Sequence, residues 1–407
     1  MDTLNGTMSF RLKSAIKILW QKMFYLIDND LPVIRPTLGD YVNTIETQKR
    51  LDYVLLYNPN IARIEYQSTL NGTKENVHEQ HDKKGLESRL FRNFNRKDPK
   101  QGLKILHILN RNIYGPLFQK MGKGYGTFRS IDPDSRQITY EVKTCDECLD
   151  LPDVGLKTCF YFSGLLAGIF SALFDQSMGT YESTCGTNGE PACNYEINNI
   201  RDIDFKDKLE SYLDLSISDE KLREVEKALS ENILKSLKAE TPSEPVVGIN
   251  SHIIGYQLRI LNNLEQNPEI FSETYRKAGV RFSNRLVEIL KSFYQVDGEE
   301  LLTEALPKYY KKQLLANIES VEKFQDGFMV TISEAVDCAG VKNLDVKPCA
   351  FMRGEIEGIA NIATGKHIQC DIHSCKYDTE EQLCQLRLSY IEEEKDIPDW
   401  LKEIEEQ

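Results

Sequence analysis

Residues 159–193 read CFYFSGLLAGIFSALFDQSMGTYESTCGTNGEPAC. The stretch opens on Cys159, runs uncharged to Phe174 with Gly164 and Gly168 four positions apart, and then reaches Glu182, Cys185, a Gly186-Thr187-Asn188-Gly189 turn and Cys193. Apolar residues at helical spacing followed by a short extended run and a glycine turn predict a helix and then a strand pair, with cysteines at the helix start and on both strands. A copy lies downstream. Cys148, Cys159, Cys185 and Cys193 are 11, 26 and 8 positions apart, and Cys338, Cys349, Cys375 and Cys384 are 11, 26 and 9 apart. All ten cysteines fall in these two windows, which points to an internal duplication with a thiol cluster in each half.

A shift of 190 residues superposes Gly164 on Gly354 and Gly168 on Gly358 as well. Upstream of each cysteine helix lies an alternating run, Gln137 to Val142 and Gly327 to Ser333, preceded by a turn at Asp132-Pro133-Asp134 or Gln325-Asp326. Helix-period residues come before those: Leu103, Leu106, Leu109 and Ile113 in one half, Phe282, Leu286, Ile289, Leu290 and Phe293 in the other. The repeated unit is therefore helices, a hairpin, a cysteine-bearing helix and a final strand pair. Residues 1–90 are expected to form an unmatched extension, with an amphipathic first helix and a hairpin of Tyr53 to Tyr57 and Ile61 to Tyr66 around Asn58-Pro59-Asn60. His78 and His81 fall in a polar stretch read as a loop. Ser218 to Lys238 forms an amphipathic helix with Leu222, Val225, Leu229, Ile233 and Leu237 on one stripe, and Thr241-Pro242-Ser243-Glu244-Pro245 is a linker.

Composition narrows the class. A chain of 407 residues with 41% apolar and 28% charged residues is expected to make two or three folded units. The net charge of -13 argues against nucleic acid as a partner, since phosphate binding needs surplus Lys and Arg. Met8 to Ile27 lacks the uninterrupted apolar core and cleavage site of a secretory signal, so a cytoplasmic location with reduced thiols is expected. Thr158 to Phe174 carries no charge, yet its counterpart includes Arg353, Glu355 and Glu357, so neither is expected to be a transmembrane segment.

Chemistry concentrates on the cysteines. Cys159, Glu182, Cys185 and Cys193 offer three thiolates and a carboxylate, a set suited to four-coordinate structural zinc. Buried unmetallated thiols are the alternative, and Cys145-Asp146-Glu147-Cys148 leaves a redox reading open although it lacks a strand-CxxC-helix setting. In the second half Ile372 replaces the glutamate, which leaves Cys349, Cys375 and Cys384 with His373 or Cys370 as the candidate metal set. Neither a phosphate loop nor a nucleophile beside a base is evident: Gly122-Lys123-Gly124-Tyr125-Gly126 reads as a turn.

The cysteine opening a helix with a small-xxx-small pattern, the strand ending in E-x-x-C, the glycine turn and the last cysteine together resemble the 4-vinyl reductase domain family; Cys349 to Cys384 is similar more loosely. The resemblance implies α+β domains in which helices pack on an antiparallel sheet, related in fold to subunits of TRAPP vesicle-tethering complexes and to ligand-sensing domains. It implies zinc at Cys159, Glu182, Cys185 and Cys193 beside a hydrophobic ligand cavity, with Phe160, Phe162, Leu165, Leu166 and Phe170 as candidate lining. The expected organisation is an extension over 1–90, domains over 91–205 and 249–395, a helical linker over 206–248 and an acidic tail over 396–407. The expected function is non-catalytic binding of a small hydrophobic or aromatic ligand. A tethering scaffold with a protein partner or a homodimer, and an accessory protein of tetrapyrrole reduction, are the alternatives.

Overall fold

The structure is a computed structural model that describes residues 35–40, 54–82, most of 103–148, 155–239, 264–339, 346–375, 383–392 and 397–401. The chain divides into two units, the first containing residues 59–216 and the second residues 33–58 and 217–407. In the first, helix α1 (Asn60–Asp82) is followed by a π-helical turn at Asn110–Tyr114, α2 (Gly115–Lys120), β1 (Tyr125–Asp132), β2 (Gln137–Lys143), α3 (Phe160–Phe174), β3 (Met178–Thr184), β4 (Cys193–Asn199) and α4 (Ile203–Leu213). In the second come α5 (Asp219–Lys238), α6 (Pro268–Tyr294), a π-helical turn at Leu301–Ala305, α7 (Leu306–Lys312), β5 (Asn317–Phe324), β6 (Gly327–Ser333), α8 (Ala350–Thr364), β7 (Ile368–Cys375) and β8 (Leu383–Tyr390). Each unit is α+β, with one antiparallel four-stranded sheet, ordered β1-β2-β4-β3 and β5-β6-β8-β7.

The likeness of the units reaches into the backbone. Left-handed residues stand at Gly124, Thr144 and Asp175 in the first and at Leu314, Glu334 and Gly365 in the second, each pair 190 positions apart. Register shifts between Phe128 and Ser130 and between Glu182 and Thr184 recur between Ile318 and Ser320 and between Ile372 and Ser374. Bulges and left-handed residues are local devices that bend a strand or reverse a chain, so their recurrence shows the same bends built twice.

The glycines of the cysteine helices explain the layer above each sheet. A Cβ on Gly168 would lie 2.6 Å from the Leu70 carbonyl oxygen and 2.7 Å from Thr73 Cβ, and one on Gly164 would strike the Tyr66 carbonyl. Only a bare backbone lets α1 lie this close on α3. In the second unit Gly354 and Gly358 receive α6 in the same way, against Arg276 and against Val280 and Ser283. Tyr66, Leu70 and Thr73 precede Arg276, Val280 and Ser283 by 210 positions, so α1 is the partner of α6.

That pairing corrects the sequence expectations upstream. Leu103 to Ile113 is not the counterpart of Phe282 to Phe293; residues 60–82 are, and the connection that follows is longer in the first half. Nor do residues 54–66 make a hairpin. Val54–Tyr57 are helical and α1 begins after Pro59, with Ile61, Ala62, Glu65, Tyr66, Ser68 and Thr69 buried at helical intervals. Five alternating residues fit both periods, and packing on α3 decides between them. Proline is common at such a start. His78 and His81 lie within α1 and not in a loop, and nothing is described of their side chains. The division 1–90 also gives way: α1 belongs to the first unit, while Arg35–Asp40 and Val54–Asn58 belong to the second. There Arg35 donates to the Leu314 carbonyl at 2.6 Å, and the Thr37 and Leu38 amides donate to the Glu334 carboxylate. The Met8–Ile27 helix and the 241–245 linker lie outside the described residues, as does the tail over 396–407 apart from Ile397–Leu401. Helix α5 is capped by the Ser218 hydroxyl, which accepts from the Lys221 amide.

Charges inside α8 are also accounted for. The Tyr66 hydroxyl accepts the buried Thr180 amide in the first unit at 3.1 Å; in the second, Glu357 accepts the matching Cys370 amide at 3.2 Å and pairs with Arg276 at 2.7 Å. No helix among the described residues is long and apolar enough to cross a membrane.

Candidate metal centre and aromatic cluster

Six donors converge at one end of the first unit. Cys159 is the residue before α3, Glu182 stands on β3, Cys185 follows β3, and Cys193 opens β4. Residues three apart on a regular strand face opposite sides of a sheet. The register shift between Glu182 and Thr184 inserts one residue and brings Glu182 and Cys185 to one side. Gly189, at φ 76°, reverses the chain so that Cys193 returns beside them.

The predicted set holds together: Cys159, Glu182, Cys185 and Cys193 present ligand atoms all within 4.8 Å of one another. The sulfurs of Cys159 and Cys185 are 3.8 Å apart and those of Cys159 and Cys193 3.7 Å. A tetrahedron with metal–sulfur bonds of about 2.3 Å has edges of about 3.8 Å, so the spacing suits a zinc-sized ion. Glu182 is fully buried, and its Oε1 has no hydrogen-bond partner. Such an oxygen is costly unless something binds it. Burial, followed by repulsion from Cys185, pushes its carboxyl well above the usual range. The thiols split: hydrogen bonds from Cys148, Cys159 and Cys193 favour ionisation of Cys185, while burial above all pushes Cys159 up. Thr187 Oγ1 donates to Cys185 Sγ at 3.1 Å, a contact that orients the sulfur.

Two donors were missed. Cys145 and Cys148 join Cys159 and Cys193 in a second set of four, also mutually within 4.8 Å, with Cys148 3.2 Å from Cys193 and Cys145 3.6 Å from Cys159. Their CxxC spacing was the available signal, read as redox because the strand before it and the helix after Cys159 are separated by a loop. In the second unit Cys338, Cys375 and Cys384 form the corresponding group. The expected ligands there need correction. Cys338 takes the place given to Cys349, which stays close enough to push the Cys338 thiol up. Neither Cys370 nor His373 is in the group: the backbone N–H of Cys370 turns to Glu357, and His373 sits at the register shift.

Below the thiols, α3 presents aromatic rings to the sheet. Phe162 lies 5.3 Å from Tyr195, 6.5 Å from Tyr140 and 6.1 Å from Phe118, and Phe170 lies 6.2 Å from Phe128 between ring centroids. Leu166 falls between them on the same stripe and is buried. Phe160 is elsewhere, stacked on Tyr212 of α4 at 4.8 Å, and Leu165 is half-buried. The five residues expected to line one cavity are therefore divided between two faces. Polar groups reach the ring cluster from residues that sequence reasoning did not select. Tyr140 donates to Asn110 Oδ1 at 2.9 Å, and Asn110 Nδ2 donates to the Gly126 carbonyl at 2.9 Å. The His107 ring lies 6.0 Å from Phe128, and its Nδ1 is buried without a hydrogen-bond partner among the described residues. Desolvation, followed by Arg111, lowers the His107 pKa.

Residues 138–199, from β2 to the end of β4, match the 4-vinyl reductase domain family. Among solved structures, the crystal structure of the phenol-responsive sensory domain of the transcription activator PoxR with phenol is similar at 11% identity, over 44% of this chain and 84% of that one, with a TM-score of 0.29. No curated protein matches.

Proposed function

We propose that the first unit is a non-catalytic sensor module that binds a small aromatic molecule against the ring stripe of α3, beside a structural zinc centre. The observation that carries this reading is the buried, unpartnered Nδ1 of His107 at the edge of a cluster of Phe118, Phe128, Tyr140, Phe162 and Phe170. Apolar sites with a few convergent polar groups are the usual form of a small-molecule site. Rings 5.0 to 6.5 Å apart leave space for little more than one ring, so the ligand is a single aromatic ring with one hydrogen-bonding substituent. The match of residues 138–199 to the 4-vinyl reductase domain supports a ligand-binding rather than catalytic role. We read the second unit as a divergent copy, on the recurrence of bulges, left-handed residues and strand order, and both units as relatives of the TRAPP-type fold.

Zinc suits the three thiolates and carboxylate of Cys159, Glu182, Cys185 and Cys193. It would tie the start of α3 to β3 and β4 and so hold the stripe against the sheet.

The test is thermal stabilisation of the full chain by phenols, anilines and benzoates, with calorimetry on the best binder. Binding to the wild type, weakened about tenfold in His107→Ala for the loss of one buried hydrogen bond, is the expected result. If no such compound stabilises the protein and none accompanies it through native purification, the sensor reading fails. Stoichiometric co-purifying protein would then favour the tethering scaffold.

A further inference from the structure

The two sets of four donors in the first unit share Cys159 and Cys193 and nothing else. We infer that this unit holds a two-metal thiolate cluster in which Cys159 and Cys193 bridge, Cys145 and Cys148 complete one tetrahedron, and Glu182 and Cys185 complete the other. The inference rests on reading the site as a metal centre and goes beyond it in nuclearity, bridging and ligand set.

Geometry supports it first. Two tetrahedra that share an edge need six donors, and six are present, with the shared Cys159–Cys193 edge at 3.7 Å. From that edge, Cys145 stands 3.6 Å from Cys159 and Cys148 3.2 Å from Cys193 on one set, while Cys185 stands 3.8 Å from Cys159 on the other. These lengths bracket the tetrahedral edge of about 3.8 Å set by bonds of about 2.3 Å. All six side chains are buried, the most accessible being Cys148 at 7%.

Charge supports it second. Six ionised donors carry six negative charges. One divalent ion would leave four in a buried site, an expense that forces the spare donors to keep their protons. Two divalent ions leave two, the balance of an ordinary four-thiolate zinc site. The second unit gives the contrast. The positions 190 residues beyond Cys145 and Glu182 hold Ala335 and Ile372, so one terminal donor of each tetrahedron is absent there and a single ion is the most its thiols can close around.

The test uses the full chain carrying Cys375→Ser and Cys384→Ser, which removes the second-unit group, loaded with cadmium-113 in place of zinc. Two ions per chain by elemental analysis, giving two resonances split by each other through the bridging sulfurs, are expected. Adding Cys145→Ser and Cys148→Ser should remove one ion and the splitting while one resonance persists; adding Glu182→Gln instead should move one resonance far more than the other. One ion per chain, or two unsplit resonances, overturns the two-metal inference and leaves the metal centre standing. No bound ion overturns both.

Discussion

Replacing Gly168 by Ala sets two physical effects against each other. Alanine is the better helix former by about 1 kcal/mol, so local propensity alone predicts a firmer α3. Packing predicts the opposite. The new methyl would stand 2.7 Å from Thr73 Cβ, 2.6 Å from the Leu70 oxygen and 3.2 Å from the Lys74 nitrogen. Carbon pairs settle at about 3.5 to 4.0 Å, so α1 must retreat by about 1 Å, and two of the three obstacles are backbone atoms that cannot rotate away. Overpacking of this kind costs about 1–3 kcal/mol. Set against the propensity gain, and weighted to the upper half because the obstruction is backbone, the net loss is about 1–2 kcal/mol, which corresponds to about 5- to 30-fold in an opening equilibrium. Amide exchange read on peptides from residues 60–82 and 160–174 measures this locally, without requiring the two units to unfold together. Faster exchange in both helices is expected, and Gly358→Ala should act likewise on α6 and α8. Unchanged or slower exchange in Gly168→Ala would refute the close-approach account of the glycine pair.

Other expectations concern the core, the chain segment over Glu334 and pH. Phe162→Ala should cost about 3–5 kcal/mol, because a fully buried ring between α3 and the sheet is lost; a loss under about 1 kcal/mol by chemical denaturation would show that the stripe is loosely packed. Glu334→Ala leaves the Thr37 and Leu38 amides without their acceptor and should lower protection of residues 35–40 by about 1–3 kcal/mol, while exchange in the first unit stays as it was. For His107 the folded pKa lies below 6.5, so in the window between that lowered value and 6.5 the unfolded chain binds more protons than the folded one. Stability of the first unit should therefore rise with pH through this window and be lost as pH falls through it. His107→Gln should flatten that part of a stability–pH profile, and an unchanged profile would count against a desolvated imidazole.

Much of the architecture is written locally. The Gly164 and Gly168 spacing, the uncharged helix and the alternating Gln137–Val142 run depend on neighbours three, four or two residues away, and these recur in the structure as α3 and β2. Ser218 capping α5 is of the same kind. Residues 60–66 are not, because five alternating positions serve a strand or a helix equally well. Only the bare backbone of Gly164 and Gly168, a hundred positions on, gives α1 a surface to lie on.

The same distinction runs through the metal centre. Sequence alone determined that the cysteines form two copies of one pattern and that Cys159, Glu182, Cys185 and Cys193 belong together, because spacing along the chain survives folding. Tertiary structure alone decided that Cys145 and Cys148 stand beside them, that Cys338 and not Cys349 meets Cys375 and Cys384, and that His107 reaches the rings of α3. Those placements follow from a bulge between Glu182 and Thr184, from loops that return to a strand end, and from packing across the sheet. None of these has a period that a linear reading can detect.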